Sequence, residues 1–263
     1  MELLKRTIKK SSPGLYEDVK KEVLFFQKKY SGARDKVLQD GIFRIIENME
    51  EIDLLLFPVK DDNLCGFICE YKGELFIYIN TYLTLAKQIF SAAHEIYHFI
   101  NNGQKELLQS KIIEETEEEK LEIEESKANL FAALLLAPED SLKTELDLLN
   151  VKTAGDLNTL KLIKLMDTFA VPYKTIVLRL FEIELLNERE TKKWLSIPDR
   201  DKNEGILYQI KKHKIGERWQ KRTCEVKYSN LKALIYDNDE LELLPEKRIK
   251  KDLAFIEQDD GYE

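Results

Sequence analysis

The chain has 263 residues, a length that suits one or two domains and a sizeable core. Hydrophobic residues make up 43% and charged residues 34%, with only 10 glycines and 6 prolines, which excludes disordered, low-complexity and collagen-like proteins. The net charge of −8 disfavours non-specific binding to nucleic acids, and three cysteines favour a reducing compartment. Since no signal peptide or membrane span is recognisable, we expect a cytoplasmic protein.

Helices and short strands alternate through the first hundred residues. Apolar residues at helical spacing predict two helices, aromatic and β-branched stretches then predict three strands, and capping residues precede a third helix. In chain order these elements cover residues 17–30, 37–49, 54–59, 65–71, 74–79 and 85–100. Lys72-Gly73 predicts a hairpin between the last two strands.

The second half of the chain changes character several times. The acidic run 114–125 predicts a loop that leads into a buried helix, 130–137, which Pro138 ends. Two helical patterns, 157–169 and 173–186, have the arrangement of a helix-turn-helix. Beyond Pro198, alternating patches predict strands of a small module, at 223–228, 231–236 and 240–244.

Two of the three histidines lie in the segment His94-Glu95-Ile96-Tyr97-His98, inside the predicted helix 85–100. Residues four apart on a helix share one face at about 6 Å, so both imidazoles can bind one zinc ion. Glu95 is then placed to act as a base. The alternative is a pair of structural histidines, but the clustering of so few histidines on a buried helix favours a metal site.

A zinc ion that keeps an open position for water needs a third protein ligand. The remaining histidine, His213, lies in the basic C-terminal stretch, so a downstream carboxylate is the candidate. The acidic run offers several, and Glu125 stands where the apolar helix pattern begins. Asn129 shares a helix face with Glu125 and could accept the other ring N–H of a metal-bound histidine. The alternative for the whole run is a solvated acidic face.

These motifs resemble those of the ImmA/IrrE family of metallo-endopeptidases over residues 40–186. The resemblance is carried by His94-Glu-Ile-Tyr-His98 with the preceding Phe90-Ser91-Ala92-Ala93, and by Glu125-x-x-Ala128-Asn129-x-Phe131-Ala132-Ala133-x-Leu135-Leu136-x-Pro138. It implies that His94, His98 and Glu125 bind Zn²⁺ and that Glu95 is catalytic. The chain departs from the common pattern at Ile96-Tyr97, where Leu-Gly is usual, at Lys127 and at Ala137.

The resemblance also implies a fold and a substrate class. We expect an α+β, predominantly helical protein with a zincin-like core, a small antiparallel-containing sheet and the histidine-bearing helix over residues 1–142. A helix-turn-helix-like segment, 143–197, and a C-terminal α/β module, 198–263, follow. The expected activity is zinc-dependent hydrolysis of a peptide bond in a cytoplasmic DNA-binding repressor or antitoxin of a bacterium, commonly encoded nearby on a mobile element or in a stress-response locus.

The competing hypothesis is a binding protein. A transcriptional regulator or toxin–antitoxin component could use the helices at 157–186 and the basic stretch 209–232, with a structural or silent metal site. The second of those helices leaves few exposed basic positions besides Lys174 and Arg179 for reading bases, which favours packing over direct contact with DNA. The stretch 209–232 is either a solvated surface or a docking surface for the protein substrate.

Overall fold

The computed structural model describes residues 2–12, 14–32, 36–102 and 115–257. The fold is mostly helical with one small mixed sheet, an α+β architecture. The α-helices are α1 (Glu2–Lys5), α2 (Leu15–Phe26), α3 (Gly41–Glu47), α4 (Leu85–Asn102), α5 (Glu115–Leu136), α6 (Glu139–Leu148), α7 (Thr159–Phe169), α8 (Tyr173–Glu182), α9 (Glu188–Leu195), α10 (Ile206–His213), α11 (Leu231–Glu240) and α12 (Glu246–Glu257). The strands are β1 (Asp53–Phe57), β2 (Gly66–Tyr71), β3 (Glu74–Asn80) and β4 (Lys227–Tyr228). A π-helical turn, Gln27–Ser31, extends α2, and short 3-10 turns lie at Ala154–Asp156 and Glu217–Gln220.

The sheet has the strand order β2-β3-β1-β4. The predicted hairpin is confirmed, because β2 and β3 pair antiparallel and both Lys72 and Gly73 adopt the positive φ angles that a tight two-residue turn requires. β1 instead runs parallel to β3, with Leu54 opposite Ile77, so the sheet is mixed. Helix α4 follows β3 and packs on both β2 and β3, which places its buried face against the sheet.

The acidic run forms a helix where a loop was predicted. Residues 115–125 belong to α5, one continuous helix of 22 residues, and Glu114 lies outside the described residues. Glutamate is a good helix former and is stabilised near a helix N-terminus. The apolar C-terminal half of α5, exemplified by Ala128, Phe131 and Leu135, is fully buried and anchors the helix. Tertiary packing therefore makes the acidic run part of the same element as the apolar segment.

Helices α7 and α8 confirm the two predicted helical patterns, separated by a short connection at Ala170 in the left-handed conformation. Most side chains of α8 are buried, including Arg179, which is 0% exposed. Its guanidinium donates to the Ala137 carbonyl, the Tyr16 hydroxyl and the Glu182 carboxylate at 3.0 to 3.2 Å. The interpretation of Arg179 as an exposed basic residue is therefore wrong, and this residue is not available to contact bases.

The C-terminal segment differs from its prediction. The predicted strand 231–236 lies in helix α11, the patch 240–244 forms no strand, and 223–228 contributes only the short β4. The apolar spacing of Leu231, Leu234 and Ile235 fits a helix as well as a strand, because so short a pattern is ambiguous. β4 pairs with β1, so the strand found in this part of the described chain completes the first sheet instead of forming another.

The C-terminal segment also packs on the helical part. Trp219 is buried and donates its indole N–H to Asp167 of α7 at 2.8 Å. The domain limits at 142/143 and 197/198 remain predictions. Among the helices of the described residues, none is both long and apolar enough to cross a bilayer.

Candidate metal centre

Helices α4 and α5 bring three predicted site residues together. The Nε2 atoms of His94 and His98 lie 3.1 Å apart. Nε2 of His94 lies 3.2 Å from one carboxylate oxygen of Glu125, and Nε2 of His98 lies 3.3 Å from the other. We call this group the His-His-Glu cluster. Its three residues each offer a ligand atom within 4.8 Å of the others, so the cluster could hold a metal ion.

The local sequence explains how the cluster forms. The two histidines are four residues apart on α4, one turn of helix, and therefore share a face. Ala93 on α4 and Ala128 and Ala132 on α5 are fully buried, and such small side chains allow two helices to approach closely. The close approach places Glu125 opposite the histidine pair.

The spacing of the two histidine nitrogens fits a tetrahedral ion. Ligand atoms about 2.05 Å from one tetrahedral zinc ion are separated from one another by about 3.3 Å. The two Nε2 atoms, 3.1 Å apart, lie close to that value, and each of them has a different carboxylate oxygen of Glu125 at 3.2 or 3.3 Å. The histidine side chains are 15% and 13% exposed, whereas Glu125 is 57% exposed, so the cluster lies at the protein surface. Two imidazoles and one carboxylate are also the donor set of several catalytic zinc sites.

Asn129 lies where it can orient His94. Its side-chain oxygen is 3.2 Å from Nδ1 of His94, on the opposite side of the ring from the cluster. This contact suits the tautomer in which Nδ1–H donates to the amide oxygen and Nε2 keeps its lone pair for a metal. The sequence had placed Asn129 on the same helix face as Glu125, and the structure brings both to the histidines.

The other described carboxylates of the acidic run have different partners. Glu124 accepts hydrogen bonds from the Tyr97 hydroxyl at 2.7 Å and from the Lys127 ammonium at 2.8 Å. Glu122 forms an ion pair with Arg6 at 2.6 Å. Burial and the hydrogen bond to Glu124 raise the pKa of Tyr97, so this phenol remains a donor. Contact with His94 and then His98 instead lowers the pKa of the Glu125 carboxyl.

Sequence reasoning missed the role of Tyr97. Its ring is buried and packs against Phe131 of α5 with 5.8 Å between centroids, while its hydroxyl holds Glu124. Tyr97 thus ties α4 to α5 beside the cluster. The sequence did carry a signal for this role, because Tyr97 stands at a position of the motif where glycine is usual. A large side chain at that position must pack against other residues, whereas a glycine need not.

Glu95 is buried beside the cluster. Its side chain is only 7% exposed, and burial raises the pKa of its carboxyl although His94 and His98 pull it down. Gly66, the first residue of β2, approaches it closely. A Cβ atom at Gly66 would lie 3.5 Å from Cγ of Glu95 and only 2.8 Å from the Tyr78 carbonyl oxygen. A glycine is therefore needed where the edge of the sheet meets Glu95, a constraint that the sequence pattern did not reveal.

Comparison with known proteins identifies the family of the chain. The family model of the peptidase M78 family, described as the IrrE N-terminal-like domain, matches residues 42–181. A solved structure of a Mycobacterium tuberculosis transcriptional regulator is similar at 17% identity and a TM-score of 0.44, over 69% of this chain. This chain spans 50% of the length of that structure. No curated protein matches. Because the family model covers more than half of the chain, including the histidine pair and Glu125, the protein belongs to the peptidase M78 family, that of ImmA and IrrE.

Proposed function

We propose that this protein is a zinc-dependent endopeptidase that cuts a peptide bond in a cytoplasmic DNA-binding repressor or antitoxin. Membership of the peptidase M78 family indicates a metallopeptidase-type function. The observation that carries the finer proposal is the His-His-Glu cluster with the buried Glu95 beside it. His94, His98 and Glu125 would hold the ion. When bound, zinc would lower the pKa of a coordinated water toward neutrality and polarise the scissile carbonyl.

Glu95 is proposed as the general base and acid. A carboxylate with a raised pKa is a stronger base than an ordinary carboxylate, so it takes a proton from water more readily, and a pKa nearer neutrality also allows the proton to be passed on. The burial of Glu95 supplies such a shift. Its carboxylate would take a proton from the attacking water and return it to the amine that leaves. Asn129 would keep the His94 ring in one orientation during the reaction, because its side-chain oxygen would accept a hydrogen bond from Nδ1 of that ring.

The edge of the sheet supports a peptide substrate. The strand order leaves one side of β2 without a partner strand among the described residues. β2 begins at Gly66, in contact range of Glu95. An extended peptide can hydrogen-bond to such a free strand edge. A substrate bound there would lie next to the proposed catalytic carboxylate.

The proposal is tested by asking whether the protein cuts a regulator encoded beside its own gene at one defined site. The zinc-loaded full chain is incubated with the repressors encoded beside its gene, and the products are analysed by mass spectrometry. We expect one cut by the wild-type protein and none by Glu95→Gln carrying the same amount of zinc. Absence of any cut in regulators encoded near the gene, also when cells are stressed, would refute the substrate class. A gel shift with operator DNA that Glu95→Gln leaves unchanged, together with absent cleavage, would favour the regulator hypothesis instead.

A further inference from the structure

A cavity of about 400 Å³ opens directly beside the His-His-Glu cluster. Glu125 and Asn129 of α5 and Ser91 of α4 form the wall nearest the cluster. The remaining wall is largely apolar and includes side chains of α4, α5 and α8, namely Phe90, Leu130 and Leu178. The cavity therefore gives the cluster a neighbouring pocket with room for a side chain of a bound peptide.

Lys87 brings a positive charge into this cavity. Lys87, Ser91, His94 and His98 follow one another at intervals of four, three and four residues, so they lie along one face of α4. Seven residues separate Lys87 from His94, which corresponds to about 10.5 Å along the helix axis. The ammonium group thus lies on the same helix face as the histidines, two turns away.

The ammonium of Lys87 has no hydrogen bond or ion pair within the described part of the chain. The carboxylates near it are already engaged. Asp62 contacts Arg222 at 3.2 Å and Arg200 at 3.7 Å, and Asp199 lies 3.9 Å from Lys174. Lys87 is half-buried, and burial, followed by the charge of Arg200, lowers its pKa. A partly desolvated ammonium without a partner is unfavourable, so an incoming carboxylate would gain by pairing with it.

A second cavity, of about 420 Å³, adjoins the first, because Lys87 and Pro172 line both. The C-terminal segment supplies its outer wall with Arg200, Lys202 and Arg222, against Asp62 and Asp199. The first cavity adds Arg6, which pairs with Glu122, and Lys174, and its two carboxylates are Glu125 of the cluster and Glu182, which pairs with buried Arg179. Six cationic side chains thus line the two cavities against four carboxylates. The two cavities together, which we call the Lys87 groove, therefore carry an excess of positive charge on a protein whose net charge is −8.

We propose that the Lys87 groove binds an acidic side chain of the protein substrate, two to four residues from the scissile bond, with Lys87 as its partner. This inference rests on the proposed endopeptidase function. An extended peptide advances about 3.3 Å per residue, so the 10.5 Å from His94 to Lys87 corresponds to about three residues. The apolar wall at Phe90 and Leu130 accommodates the methylene stem of a glutamate, and the ammonium receives its carboxylate. Lys87 is thus a specificity-determining residue.

The experiment uses a pool of unstructured synthetic peptides of randomised sequence as the probe. The zinc-loaded full chain cuts the pool, and mass spectrometry maps the residues on both sides of each cut. In parallel, peptides retained on immobilised, zinc-loaded Glu95→Gln protein are identified. We expect Asp and Glu to be enriched at one position two to four residues from the cut and among the retained peptides. A charge-assisted pair of this kind corresponds to roughly a tenfold to hundredfold preference over the matched neutral peptide.

Substitutions of Lys87 test whether this residue causes the preference for acidic peptides. Lys87→Met should abolish it while leaving cleavage of neutral peptides, Lys87→Glu should replace it by enrichment of Lys and Arg, and Lys87→Arg should keep it. Lys164→Glu on α7 makes the same change of charge at an exposed position outside both cavities and should behave as the wild type. Zinc content and circular dichroism verify that each variant is folded. If Lys87→Glu does not fold, Lys87→Met carries the test.

The outcomes separate the two proposals. Cleavage without an acidic preference, or with a preference that Lys87→Met retains, overturns the assignment of the groove and leaves the endopeptidase intact. Retention of acidic peptides that depends on Lys87 but leads to no cut supports the groove and counts against the endopeptidase. A protein that neither retains nor cuts acidic peptides overturns the groove.

Discussion

Glu125→Gln should weaken zinc binding far more than Glu124→Gln, although the two glutamates are neighbours on α5. Glu125 contacts both histidines, whereas Glu124 is held by Tyr97 and Lys127. An amide keeps the shape of the side chain but removes the negative charge that a zinc ligand provides. The comparison therefore separates a metal ligand from a carboxylate that joins two helices.

The expected loss of zinc affinity follows from the binding free energy that each ligand contributes. Structural zinc sites with four protein ligands bind with about 10–16 kcal/mol, or about 2.5–4 kcal/mol for each ligand. Because one tenfold change in Kd corresponds to 1.4 kcal/mol, loss of the Glu125 carboxylate should raise the Kd roughly 60-fold to 700-fold. Glu124 is 36% exposed, so Glu124→Gln should cost only about 1 kcal/mol of folding stability and leave the Kd within about twofold.

The assay is a competition titration of each purified full-length variant against a fluorescent zinc chelator, with urea denaturation of the same samples as the control for folding. His94→Ala and His98→Ala serve as positive controls. Equal loss of affinity in both glutamate variants, or a loss confined to Glu124→Gln, would refute the assignment of Glu125 as the third ligand.

Three further predictions concern the proposed general base, the residue that orients His94 and a buried carboxyl at the end of α8. Glu95→Gln should retain zinc while peptide turnover falls roughly 10²-fold to 10⁴-fold, as measured by single-turnover cleavage, and near wild-type turnover would remove Glu95 from the mechanism. Asn129→Ala should reduce zinc affinity or activity about 10-fold to 100-fold, since His94 loses its orienting acceptor, and an unchanged Kd and turnover would show that the contact is incidental. Burial raises the pKa of Glu182 to about 7 from 4.5, so its carboxyl favours the folded state below about pH 4.5 and loses that contribution as the pH rises through 7. Glu182→Gln should flatten this part of the curve of unfolding free energy against pH, and an unaltered slope would contradict the shift.

Local patterns in the sequence determined the elements that depend only on neighbouring residues. The histidines are four apart, so any helix there places them on one face, as α4 does. The hairpin followed from Lys72-Gly73, because a tight turn needs positive φ angles at both positions. The motif and its resemblance to ImmA/IrrE proteins also indicated the family, which the match over residues 42–181 confirms.

Only the tertiary structure decided contacts between distant parts of the chain. The acidic run offered several equivalent carboxylates by residue type. In the fold, Glu122 of α5 pairs with Arg6, just after α1, whereas the packing of α5 on α4 directs Glu124 to Tyr97 and Glu125 to the histidines. The same holds for Arg179, whose burial depends on a carbonyl 42 residues away and a hydroxyl 163 residues away. β4 also pairs with a distant strand, β1, where Tyr228 lies opposite Leu55. Periodicity reports which face of an element is apolar, but it does not report which other element covers that face, because that choice depends on the shape and charge of every partner at once.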